Sequence, residues 1–115
     1  MTIPKTFQLF GQTITVEIDP DLSHEDDASG AALYRTNKIK LTPSTSTDPK
    51  IPAQIEKVFL HELMHWIFYM AGESKLRSNE KLVDLIANLL HQALTTQSGK
   101  INLGEKRQKG RKRNE

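Results

Sequence analysis

Between Pro52 and Thr96 the chain holds two helix-length stretches separated by Gly72 and a short polar run, and this pairing limits the fold more than any other feature. Two helices joined by so short a connection pack side by side and antiparallel, because each needs the other to bury its apolar side chains. Pro52 suits the first turn of the first helix, and Gly72 suits the position just past its end at Ala71. Ser78 or Asn79 can cap the second helix, which continues to about Thr96. Val58, Phe59, Leu60, Leu63, Met64, Ile67 and Phe68 make the first helix apolar nearly all round. Leu82, Val83, Leu85, Ile86, Ala87, Leu89, Leu90, Ala93 and Leu94 do the same for the second.

The residues before Pro52 read as strands. Phe7–Phe10 and Thr13–Ile18 are β-rich runs, with Gly11-Gln12 as a two-residue turn between them. Ala31–Tyr34 and Lys38–Leu41 form a second hairpin through Arg35-Thr36-Asn37, with Ile39 and Leu41 on one face and Lys38 and Lys40 on the other. Asp19 to Gly30 and Thr42 to Pro49 read as loops. The expected fold is α+β, a small antiparallel sheet of two hairpins packed on a two-helix hairpin. With 115 residues it forms one domain over residues 1–98, followed by a basic, disordered tail over 99–115.

Polar residues inside the apolar helices carry the chemistry. His61 and His65 are four apart and so share one helix face, within reach of a single ion. Glu62, directly after the first histidine, stands where it can take a proton from a water that the ion polarises. In the second helix Glu80 and Asp84 are also four apart, and burying carboxylates is costly unless something compensates. Across an antiparallel hairpin, facing residues have numbers with a constant sum. Placing Glu80 opposite His65 therefore places Asp84 opposite His61, since both sums are 145. Glu80 becomes the third ligand, and Asp84 the acceptor that fixes a ligand histidine's tautomer. The chain has no cysteine, so a metal must be held by histidine, carboxylate and water. Two histidines and a carboxylate suit zinc and also admit manganese or iron.

His61-Glu62-x-x-His65 with Asn79-Glu80-x-x-x-Asp84 resembles the gluzincin pattern of zinc peptidases. The run from Gly30 through Leu94 is similar to the small phage and prophage metallopeptidases of the ImmA/IrrE-like and SprT-like groups. That resemblance implies a minimal zincin fold, bound Zn²⁺ and peptide-bond hydrolysis of a protein or peptide substrate. In larger ImmA/IrrE relatives that substrate is a repressor, which makes a repressor or another phage or host regulator the expectation here. Against this stands a catalytically silent zincin scaffold that binds a protein or, through its tail, nucleic acid. A non-peptidase metal hydrolase is a third reading, because the same activated water attacks other carbonyls.

Other residues have weaker claims. Tyr34 and Tyr69 are candidates for stabilising an oxyanion, though each suits plain packing. His91 falls on the stripe of Glu80 but about 16 Å along the helix, too far to share an ion, and reads as structural. Asn88 extends the stripe and is expected to hydrogen-bond across the helix pair. His24 with Glu25, Asp26 and Asp27 could hold a second cation or form a solvated acidic loop. Residues 100–115 carry seven Lys or Arg against two Glu, whereas residues 1–99 carry nine against twelve. The basic stretch 100–113 could meet nucleic acid through counterion release, without aromatic residues to read sequence. No signal-like apolar segment and no spanning stretch is seen, so a cytoplasmic protein away from membranes is expected. The strand Lys38–Leu41 could align a peptide by pairing with it if it forms a sheet edge.

Overall fold

The structure, a computed structural model, describes residues 1–22 and 29–104. The proposed cation loop at His24–Asp27 and all of the basic tail beyond Gly104 lie outside the described residues. The fold is α+β: a four-stranded sheet with β1 (Thr6–Leu9), β2 (Gln12–Ile18), β3 (Gly30–Leu33) and β4 (Lys38–Leu41), and helices α1 (Pro52–Met70), α2 (Ser74–Arg77) and α3 (Glu80–Thr95). No helix among the described residues is long and apolar enough to cross a membrane.

Both hairpins form, but they join differently from the all-antiparallel expectation. The strand order is β1-β2-β4-β3, and β2 pairs with β4 in parallel, so the sheet is mixed. The reason lies in the apolar faces. Ile14 on β2 and Ile39 and Leu41 on β4 are completely or almost completely buried, and they share one core cluster with Phe59, Leu60 and Trp66 of α1. Lys38 and Lys40, alternating with them, form ion pairs with Glu17 and Asp19. This makes β4 an interior strand, unavailable to a peptide, and leaves β3 as the edge on that side. The first turn is Phe10-Gly11 rather than Gly11-Gln12. Both residues have positive φ, 48° and 75°, as a tight hairpin turn of the mirror-image kind requires.

Helix α1 lies on the sheet through Phe59, Leu60 and Trp66. Trp66 is fully buried, and its indole N–H donates to the Lys38 carbonyl at 3.1 Å, tying α1 to β4. Fully burying one such aliphatic or aromatic side chain contributes about 1.5–3 kcal/mol. At the start of α1 the Gln54 side chain accepts from the Ile51 N–H at 2.9 Å. At the start of α3 the Asn79 side chain accepts from the Leu82 N–H at 3.1 Å, the capping role expected of it. The connection contains one extra helical turn, α2, which the sequence pattern did not show.

The second helix is not encircled by packing. Its buried residues are Val83, Ala87 and His91, one every fourth position. Leu85 and Leu89 are more than half exposed. The near-continuous apolar pattern overstated the contact because only one face of α3 meets α1.

Candidate metal centre

The i, i+4 spacing of α1 brings His61 and His65 to one edge of the helix pair, their rings 4.9 Å apart. Helix α3 starts directly opposite. Glu80 is its first residue, so the Asn79 cap that begins the helix also fixes where this carboxylate stands. One Glu80 oxygen is 3.0 Å from His61 Nε2 and 3.3 Å from His65 Nε2. The other is 3.2 Å from His65 Nε2. On the far side of the first ring, His61 Nδ1 is 3.4 Å from an Asp84 oxygen. His65 thus faces Glu80 and His61 faces Asp84, the pairing with equal sums of 145.

His61, His65 and Glu80 offer three ligand atoms within 4.8 Å of one another. A tetrahedral site with bonds of about 2.0–2.1 Å has ligand atoms roughly 3.3 Å apart, so these side chains stand close to the spacing an ion requires. The surroundings of His61 favour a cation independently. Its two ring nitrogens each face a carboxylate, yet a neutral imidazole has only one N–H. With no cation, one carboxylate meets a nitrogen lone pair. A metal ion or a proton on Nε2 removes that conflict and leaves Nδ1–H to donate to Asp84. The residues therefore fit a divalent metal such as zinc. The site is open to solvent on the α3 side: the Glu80 and Asp84 side chains are each about two-thirds exposed.

Glu62 differs from these groups. It is only 8% exposed, and its carboxyl has no hydrogen-bond partner among the described residues. Burial pushes its pKa up to about 7; the nearby His61 opposes that shift and Glu80 adds to it. An acid that exchanges its proton near neutrality is suited to general acid–base work. Gly30, at the start of edge strand β3, lies close against Glu62. A Cβ on Gly30 would lie 2.5 Å from a Val58 methyl carbon, 3.2 Å from Glu62 Cγ and 3.3 Å from Glu62 Oε2. Only glycine lets the strand come this close. Sequence reasoning missed this residue, since a glycine opening a strand has no distinctive local signal.

These groups line a cleft of about 570 Å³ bounded by α1, α3 and the Ser29-Gly30 strand end. Tyr34 and Tyr69, considered as oxyanion stabilisers, do not line it. Their rings stack on each other at 4.2 Å, with the Arg77 guanidinium 5.2 and 5.4 Å from the two ring centres. Tyr34 also packs edge-on against Trp66. Burial raises the Tyr34 phenol's pKa, with Arg77 opposing. The pair is an aromatic support at the C-terminal half of α1. Asn88 does not bridge the helices either. Its amide donates within α3, to the Asp84 carbonyl at 2.9 Å and the Asp84 side chain at 3.4 Å, steadying the carboxylate that faces His61. His91 is buried against Glu56 of α1, with 2.7 Å between Nε2 and the carboxylate.

No family model, curated protein or solved structure matches this chain.

Proposed function

We propose that the protein is a metal-dependent peptidase, with zinc as the expected ion, acting on a protein or peptide. The observation that carries this reading is the buried, unpartnered Glu62 beside three converging metal-ligand atoms. A structural metal site needs His61, His65 and Glu80 but has no use for a fourth, desolvated carboxyl group. Zinc held by these residues would supply a polarised water and a Lewis acid for the substrate carbonyl. Glu62 accepts that water's proton and returns it to the leaving amine, so it must ionise and reprotonate in each turnover. Asp84 accepts from His61 Nδ1–H and holds the ring with Nε2 facing Glu80; Asn88 steadies Asp84 in turn. Strand β3, the sheet edge beside the cleft, takes the peptide-pairing role first considered for Lys38–Leu41.

The test combines metal analysis with cleavage of a denatured protein by the wild type and Glu62→Gln. The reading expects about one zinc per chain in both and cleavage only by the wild type. Zinc well below one per chain in the wild type, or equal cleavage by both, rejects it.

A further inference from the structure

We propose that Lys57 and Gln54 form a carboxylate-recognition subsite in the cleft, which selects peptides carrying an acidic group close to the scissile bond. The inference rests on the cleft being where a peptide lies. The cleft is far larger than an ion and a water need, since a water occupies about 30 Å³, and it falls within the usual range for organic ligands. From His61 it extends along α1 toward the helix start, past Lys57 to Gln54. Among the described residues Lys57 is the one lysine or arginine lining it, with three carboxylates. Two of these are already engaged, Glu80 with both histidines and Asp84 with His61 and Asn88. Lys38, Lys40 and Lys50 pair with Glu17, Asp19 and Asp48. Lys57 makes no ion pair or hydrogen bond among the described residues.

Gln54 makes the subsite specific to a planar acid. Its side-chain oxygen is occupied by the Ile51 N–H, which leaves its NH₂ group to donate. Residues three apart share a helix face, so this amide and the Lys57 ammonium can each meet one oxygen of a carboxylate. A doubly charged phosphate would call for more cations than Lys57 alone. Lys57 lies one turn from His61, about 6 Å along the axis. An extended peptide advances about 3.3 Å per residue, so the acid lies within about two residues of the scissile carbonyl. It can be an Asp or Glu side chain or the peptide's own C-terminus.

The test uses two randomised decapeptide libraries, one with free C-termini and one amidated, on zinc-loaded protein carrying Glu62→Gln so that bound peptides stay intact. Retained peptides are sequenced and compared with those held by protein that also carries Lys57→Gln or Lys57→Glu, at equal zinc content. The subsite predicts about three-fold enrichment of Asp and Glu, the scale of an exposed ion pair. Lys57→Gln removes the enrichment, and Lys57→Glu turns it toward Lys and Arg. Enrichment confined to the free-acid library, as better retention of its peptides, identifies the terminal carboxylate as the ligand. The same composition and the same preference between the two libraries in all three proteins, or no retention above blank matrix, overturns the proposal. Enriched peptides that the wild type fails to cleave would leave the subsite standing and reject the peptidase reading instead.

Discussion

Helices α1 and α3 are joined by histidine–carboxylate contacts at two places, and the two are built on opposite principles. Toward the C-terminal end of α3, His91 meets Glu56 one to one at 2.7 Å, with both side chains mostly buried. The amino terminus of Met1 lies 3.5 Å from the same carboxylate. Near the start of α3, two histidines meet two carboxylates that are largely exposed, at 3.0–3.4 Å, with more acceptor oxygens than neutral imidazoles can satisfy. The first place is closed and complete. The second is open and has an excess of electron pairs aimed at a common point. Identical residue types thus make a closed fastener in one place and a candidate metal site in the other, and the difference lies in stoichiometry and solvent access.

Four experiments test that contrast. The largest effect belongs to Glu62→Gln, which should reduce cleavage about 10³-fold, within the range for losing general acid–base catalysis, while zinc content by metal analysis is unchanged. Zinc loss in this variant would place Glu62 among the ligands. Next is a pH effect on the metal-free protein. Burial holds the Glu62 proton up to about pH 7, against 4.5 without burial. The folded chain therefore binds more protons than the unfolded chain in this window, and stability falls as pH rises from about 4.5 to about 7. The loss is at most about 3 kcal/mol, measured by denaturant unfolding of the wild type against Glu62→Gln. Parallel pH curves for the two would show that Glu62 is not held protonated. Third, Asp84→Ala should weaken zinc binding 10–100-fold in a chelator competition. His91→Leu, at the other contact, should leave zinc affinity unchanged. Its own effect, the smallest, is a loss of about 1–2 kcal/mol in thermal unfolding, because the Glu56 pairing is gone. Zinc affinity that fell equally in both variants would erase the distinction between the two places.

The helix pair and its facing residues could be read from the sequence because they depend on short-range quantities: a repeat of four, a capping residue and a short connection. Reflecting His65 onto Glu80 and His61 onto Asp84 needs only those. What remained hidden depends on contacts distant in sequence. Alternation in Lys38–Leu41 shows which side chains point inward but not that β2 lies alongside in parallel, so the strand's interior position was missed. Glu56 reads as an ordinary surface residue of α1 until His91, thirty-five positions away, is seen against it. Gly30 looks like the end of a loop until its closeness to Val58 and Glu62 is measured. Tyr34 and Tyr69 could be read either way from sequence, as oxyanion groups or as packing; their rings are held by each other and by Arg77.

The approach of Gly30 to Glu62 has a consequence for how such a chain can diverge. The three candidate ligand atoms come from one continuous stretch, His61 to Glu80, while Gly30, which lies against Glu62, belongs to a strand some thirty residues earlier. The burial that raises the Glu62 pKa and the convergence of the three ligand atoms are therefore set largely by different segments, although His61 and Glu80 also act on that pKa. Drift in the strand can change how deeply Glu62 is buried while leaving the three ligand atoms of the helices where they are.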